Sequence, residues 1–502
     1  MYSARSYGDS VKRVTFTGNT VTLSLDNLDR NDIYLVKINK SNSVVTAANT
    51  GRALGQNLSI QQNEAPYIST ETLNNTSFRE LPHRGLATIR EFNANPPPFL
   101  ERTRNYMGPQ MQTAFIPPRV GDRRMFWVED FFDSGRWVQR QATLRATGSH
   151  GNVWIMDNVE RPISDSQARQ MAERFDQVYP LSTNLLGYEF GGGPRGHGGS
   201  DGDPKIQILV YDIVDADGNT DISGFFWAKD LYQQLFLDLV GVDIKSNQAE
   251  MFYIDAGDFL NAPDFIYSTL IHELQHMINF NVKFIEKGLD SATWYNEMLS
   301  MMAEDIIAPL IGVSQSNRFH PVGIRMPFFL ESYNRIGATE WIEDSVDQYG
   351  VTYAFGAYLM RNYGGPALLE KILANDTTDI ESINSALQEV SDVTFEQAFS
   401  RFGEAMIFSI PSLPRGALTF DKSVTSTING RRYTAHGFDI WSISQLRYDT
   451  IGPRIFNLNP IDMRPHSVSL HSNEAWIDVS GSISITLERP SNANIDLYLM
   501  VR

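Results

Sequence analysis

Ile271-His272-Glu273-Leu274-Gln275-His276-Met277 is the stretch on which the reading of this chain turns. Two histidines four apart stand one turn above each other on an α-helix, so both imidazoles face one side and can hold one zinc ion. The segment before them, Asp264 to Ile271, offers Phe265, Ile266, Leu270 and Ile271 to a core and supports the helix. Glu273 then lies beside the metal position, where its carboxylate can take a proton from water and return it to a leaving amine. The competing explanation is a core helix with two hydrogen-bonded histidines and a stray acid.

A catalytic zinc site needs a third protein ligand and one open position. Trp294-Tyr295-Asn296-Glu297 supplies the carboxylate, after a segment, Gly288 to Ser291, that can reverse the chain. Ser291 is the expected N-cap of the return helix, whose buried side is Tyr295, Met298, Leu299, Met302 and Ile306. The metal ligands expected are therefore His272, His276 and Glu297. Glu304 lies about 10 Å further along the same helix by helical rise. Glu304 and Asp305 are read as solvated or supporting groups, and Glu286 and Asp290 belong to the reversing segment.

His272-Glu-x-x-His276 followed by Asn296-Glu297 resembles the gluzincin metallopeptidases. The phrase Tyr295-Asn-Glu-Met-Leu-Ser-Met-Met-Ala-Glu-Asp305, with Asp201-Gly-Asp-Pro-Lys-Ile206, is most similar to the hyicolysin family of secreted neutral metallopeptidases. The resemblance runs from about Arg123 to Phe408. It implies a zinc (Zn2+) enzyme that hydrolyses peptide bonds of a protein substrate, with Glu273 as the catalytic base. It also implies a tyrosine that stabilises the oxyanion, in a Tyr-x-x-Gly-Ala setting that Tyr353-Ala-Phe-Gly-Ala357 fits. Tyr349, one turn earlier on the same face, is the second choice, and both also suit ordinary buried aromatics. Two departures matter. Met301 stands where thermolysin-like enzymes carry an Asp that orients a ligand His, leaving that partner unassigned. The Gly-x-Met-Glu-Asn element with which aminopeptidases grip a free N-terminus is absent, which favours an endopeptidase over the exopeptidase alternative.

Around this centre the chain divides by texture. Val14, Phe16, Val21, Leu23 and Ile33 to Ile38 read as strands separated by Gly-Asn and Asn-Asp turns, and Asn57 to Pro98 as a long surface connection. Met125 to Val128, Trp137 to Ala146, Asn152 to Met156, Lys205 to Ile213 and Met251 to Ile254 are candidate strands. A capping box at Ser164/Gln167 starts a helix through Met171, Phe175, Val178 and Tyr179, and helices dominate from Asp264 to Phe408, with capping boxes expected at Thr378/Glu381 and Thr394/Gln397. Strands return at Ser423 to Ile428, Ser467 to Leu470, Ser482 to Leu487 and Ile495 to Val501. The expectation is a multidomain α+β chain: an N-terminal antiparallel β-domain with its connection over 1–115, a gluzincin-like zincin module with mixed sheet and active-site helices over 116–412 (a β/α part to 260, a helical part from 261), and a C-terminal antiparallel, sandwich-like β-domain over 413–502. Asp32-Ile-Tyr-Leu-Val and Asp496-Leu-Tyr-Leu-Met echo each other, as strands often do.

Composition narrows the chemistry. The chain has no cysteine, so thiol catalysis, disulfides and thiolate metal sites are excluded. A net charge of −17 repels phosphate backbones, so nucleic acid is not an expected partner. No apolar run is long enough to span a bilayer, and the first ten residues are polar. The family resemblance implies a secreted or cell-surface bacterial protein whose leader has been removed, with the cytoplasm as the alternative. Asp215-x-Asp217-Gly-Asn219-x-Asp221 clusters acids around a turn without the closing Glu of a calcium loop, and is read as a solvated turn with calcium (Ca2+) as the alternative. The Gly191–Gly202 run reads as a surface loop or a lid beside the cleft. Gly224-Phe-Phe-Trp227 is read as core or groove lining, and His320 as a minor candidate at the oxyanion. A binding protein with a purely structural zinc is the rival from outside the enzymes.

Overall fold

The structure is a computed structural model, and it describes residues 6–48, 50–54, 84–99, 115–130, 136–213, 222–342, 345–448, 450–457 and 461–502. The acids of Asp215 to Asp221 lie outside those residues. In chain order the strands are β1 (Val11–Arg13), β2 (Thr20–Asn39), β3 (Val45–Ala47), β4 (Gly51–Leu54), β5 (Arg123–Asp130), β6 (Arg136–Thr147), β7 (Gly151–Met156), β8 (Ile206–Tyr211), β9 (Gly224–Phe226), β10 (Met251–Asp255), β11 (Val424–Ile428), β12 (Arg431–Ala435), β13 (Ile461–Met463), β14 (Ser467–Glu488) and β15 (Ile495–Val501). The helices that shape the site are α1 (Arg84–Ala94), α2 (Asp165–Leu186), α3 (Pro263–Asn279), α4 (Thr293–Ile307) and α5 (Val346–Asn362).

The sheet beneath the site runs β5-β6-β7-β8-β10-β9. Its centre is parallel, β7 with β8 and β8 with β10, and every residue of these three strands is buried. Near-continuous apolar runs such as Ile206-Gln-Ile-Leu-Val210 are what a sheet covered on both faces selects. α2 makes the crossover from β7 to β8, started by the Ser164/Gln167 capping box and buried through Met171, Phe175 and Val178. The short strand β9 forms one edge and pairs antiparallel with β10. Gly224 lets β9 come close to α3: a Cβ there would stand 2.8 Å from Tyr253 O and 2.9 Å from Thr269 Cγ2.

Strands expected in two flanking β-domains share one sheet. Its order is β1-β15-β2-β14-β4, so the two ends of the chain hydrogen-bond to each other. Asn31-Asp32 is no turn; β2 runs on through it, bent by bulges with Asn27 and Arg30 at positive φ, and the two separate strands read between Ser467 and Leu487 are one bulged strand, β14. The echoed phrases are neighbours, Tyr34 opposite Met500 and Val36 opposite Tyr498. Alternate residues of β2 enter two cores: Ile33 and Leu35 pack with Leu497 and Leu499, whereas Tyr34, Val36 and Ile38 join the core of the helices. Burial on both faces explains the unbroken apolar run at Ile33 to Val36.

Other sequence expectations shift locally. The Thr394/Gln397 box forms, but Thr378 makes no side-chain cap, and Asp379 instead accepts the Ala292 N–H at 2.9 Å. α4 starts one residue later than expected, with Ala292 rather than Ser291 as its N-cap. The Asn57 to Pro98 connection contains α1, signalled by Leu86, Ile89 and Phe92 three residues apart, with Ile89 and Phe92 buried.

His466 leads into β14 between the rings of Phe395 and Phe399, at 5.1 and 5.2 Å, with Nδ1 2.7 Å from Thr339 Oγ1. Burial lowers its pKa to about 4. The unfolded chain therefore binds a proton between about pH 6.5 and 4 that the fold does not, and stability falls as pH falls through that window. His466→Asn, which tolerates the positive φ at this position, is expected to remove roughly 2–3 kcal/mol of that pH dependence in urea unfolding at pH 4.5 and 6.5.

Candidate metal centre

α3 and α4 lie antiparallel, and their facing turns bring the predicted ligands together. The nearest donor atoms of His272, His276 and Glu297 all lie within 4.8 Å of one another, and all three residues are buried. Both Nε2 atoms face the carboxylate: His272 Nε2 is 3.0 Å from Glu297 Oε2, and His276 Nε2 is 3.6 Å from Oε1. The other ring nitrogens are held from behind. His272 Nδ1 stands 2.7 Å from Glu304 Oε1, and His276 Nδ1 3.1 Å from Ser300 Oγ, whose own hydrogen goes to Gln275 Oε1. A carboxylate and an already committed hydroxyl can both accept, so each Nδ1 donates away from the cluster and each Nε2 faces Glu297, the atom that would offer its lone pair to a cation. Glu297, Ser300 and Glu304 occupy successive turns of one face of α4, and Glu304 fills the orienting role that Met301 does not.

The electrostatics favour a cation. Burial opposes a charge on His272, but the hydrogen bonds its ring donates to Glu297 and Glu304 outweigh it and raise its pKa to about 10. Burial, the larger influence, lowers His276 to about 4, so that ring is neutral. Against its own burial penalty, Glu297 is held well below the ordinary carboxylate value by His276, then Arg90 and His272. Two imidazole nitrogens and an ionised carboxylate converging in a buried site suit zinc, a borderline ion that prefers nitrogen and oxygen ligands at tetrahedral spacing.

Glu273, not one of the three converging ligands, is held at the sheet edge while still feeling the charges of His272, Glu297 and Glu304. Its Oε2 accepts the Phe226 N–H of β9 at 2.7 Å, and burial pushes its pKa up to about 7. A carboxylate with that pKa exchanges a proton with water near neutral pH.

The tyrosines separate. Tyr353 is fully buried, and its surroundings are the ion pair of Asp305 with Arg361, at 2.7 and 3.1 Å. Tyr349 stands beside the cluster, its ring 6.5 Å from that of His272, its hydroxyl bonded by Arg90, and its pKa raised by burial with Glu297 among the charges it feels. The structure thus sets Tyr349, not Tyr353, against the predicted ligands. Gly356 of the Tyr353-Ala-Phe-Gly-Ala motif serves helix packing: a Cβ there would meet Met298 Cγ at 2.9 Å and Met302 Cγ at 2.8 Å of α4.

His320 is buried away from the site, capping the next helix through Val322 N–H and contacting Asp305 O at 3.1 Å. The Gly-rich loop folds onto Glu250, whose Oε1 accepts Ser200 N–H at 2.7 Å. Phe225, Phe226 and Trp227 bury their rings, while their backbone faces the site. Sequence reading missed Arg90, whose Nε lies 3.3 Å from Glu297 Oε1, and Asn93, both on α1.

A model of the peptidase M30 family matches residues 139–426. The chain is 28% identical over 316 residues to the neutral metalloprotease ShpI of Staphylococcus hyicus, an alignment that covers 59% of this chain and 63% of that protein. It therefore spans a little under two thirds of that relative's length. A conserved protein of unknown function from Bacillus anthracis covers 49% of this chain and 45% of its own at 10% identity, with a TM-score of 0.26, too slight a likeness to bear on the fold.

Proposed function

The chain belongs to the peptidase M30 family, and from that premise we propose that it is a zinc-dependent endopeptidase of the gluzincin type. The observation that carries the proposal is the convergence of His272, His276 and Glu297 with Glu273 directed at the neighbouring sheet edge. Zinc, when bound by His272, His276 and Glu297, supplies a Lewis acid that polarises the scissile carbonyl and acidifies water. Glu304 and Ser300 fix the ring orientations. Glu273, steadied by the Phe226 N–H, accepts the proton of the attacking water and delivers it to the leaving amine. Tyr349 donates its hydroxyl hydrogen to the developing oxyanion, the role that sequence reading gave to Tyr353. Residues 116–412 form the catalytic unit, and the sheet built from both termini braces it. No described helix is long and apolar enough to cross a membrane; export from the cell is the compartment this reading implies.

Comparing an internally quenched peptide with a free aminoacyl reporter tests the assignment in zinc-loaded protein. Cleavage of the quenched peptide is expected, and turnover of the reporter alone would make the protein an aminopeptidase instead. Tyr349→Phe is expected to lower kcat about ten- to a hundredfold with little change in KM, since its donor acts on charge that exists only in the transition state. Tyr353→Phe, measured alongside, is expected to stay within about threefold of the wild type.

A further inference from the structure

The groove in front of the cluster is filled by the chain's own residues. α1 and the irregular segment Asn95–Phe99 lie across it, anchored at three places. At the first, Arg90 Nε reaches Glu297 Oε1 at 3.3 Å, while its guanidinium bonds the Tyr349 hydroxyl and covers the rings of Trp341 and Tyr349 at 5.0 and 5.4 Å. Its positive charge sits on the very carboxylate that faces both histidines. At the second, the Asn93 carboxamide straddles the sheet edge: Nδ2 donates to Phe226 O at 2.9 Å, and Oδ1 accepts from Ala228 N at 2.9 Å. One carboxamide thereby satisfies the Phe226 carbonyl of the edge strand and the Ala228 N–H just beyond its end, as the N–H and C=O of one residue in an added strand would do. The Phe226 that Asn93 engages is the residue whose N–H holds Glu273. At the third, the Tyr232 hydroxyl donates to Pro97 O at 2.7 Å, and its ring meets Phe92 at 5.7 Å and Phe99 at 5.1 Å.

We propose that Arg84–Phe99 is an internal inhibitor, occupying the peptide-binding cleft of its own chain and leaving it before a substrate peptide enters. Asn93 stands in for a substrate amide, and Arg90 takes the counterion position against Glu297. A tethered occupant competes at an effective concentration in about the millimolar range, so modest contacts exclude a free peptide. The inference rests on the peptidase reading for the word substrate, but not for the contacts.

The experiment reads both independently in the full-length chain. A fluorescein-labelled synthetic peptide of residues 84–99 is titrated against the wild type, R90A/N93A and N93A, with binding followed by anisotropy, and hydrolysis of an internally quenched peptide is measured on the same preparations. The double variant is expected to bind the labelled peptide at least about tenfold more tightly than the wild type, with kcat/KM raised by a similar factor and N93A intermediate. Equal affinity for wild type and variants, including no binding to any of them, overturns the inhibitor. A gain in peptide binding without hydrolysis by any protein leaves the inhibitor standing and removes the peptidase reading. Hydrolysis at equal rates with no gain in binding does the reverse. N93A, which changes one side chain at the sheet edge, keeps the test valid if the double variant fails to fold.

Discussion

Glu273→Gln is expected to lower kcat on an internally quenched peptide by about three orders of magnitude, with one zinc still bound per chain and KM changed by less than about threefold. The substitution keeps the shape of the side chain. The new amide oxygen can accept the Phe226 N–H, now taken by Glu273 Oε2 at 2.7 Å, so the packing of α3 against β9 has no reason to shift. What disappears is the only function the geometry gives this residue in the reaction, since an amide cannot take a proton from water. The position of Glu273 makes the loss specific: its carboxylate is directed at the sheet edge rather than among the three converging donor groups. Metal content and catalysis should therefore separate in this variant. Wild-type turnover with stoichiometric zinc would make the carboxylate a spectator and leave the proton transfer without an owner.

What could be read from the sequence follows how local each relation is. The pair His272 and His276, with Glu273 between them, is fixed by the 3.6-residue helix period and needs no tertiary knowledge. Glu297, Ser300 and Glu304 share a face of α4 by the same period, so the partner of His272 was within reach once α4 was set opposite α3. The choice between Tyr349 and Tyr353 was not, because residues four apart share a face and only the placement of α5 decides which turn meets the cluster. Arg90 lies 207 positions from Glu297, and no periodicity connects them. The same holds for the terminal sheet: Val11 pairs with Met500, a contact between two ends whose strands each looked complete alone. Local spacing announces a helix face or a strand, whereas the partner of an edge is chosen by the fold as a whole.

His276→Ala is expected to weaken zinc binding by about a hundred- to a thousandfold, judged from the total affinity of four-ligand sites shared among their ligands. Peptide hydrolysis should fall to background at a zinc concentration that saturates the wild type. Competition against a fluorescent chelator measures the first quantity. The variant isolates the metal centre from its surroundings better than a change at the other two positions would. Glu297 is also the partner of Arg90, and His272 is also the partner of Glu304, so removing either leaves a second buried charge without its counterpart. His276 is already neutral, and what stands behind it is the hydroxyl of Ser300, which keeps its bond to Gln275. Its loss costs packing and one ligand, and the unfolding transition of the metal-free chain should move little. Unchanged zinc affinity in this variant would place the ion elsewhere and reduce the cluster to a hydrogen-bonded core. A large loss of affinity with α3 intact, followed by partial recovery of hydrolysis in excess zinc, would tie the reaction to these two helices through the ion they are arranged to hold.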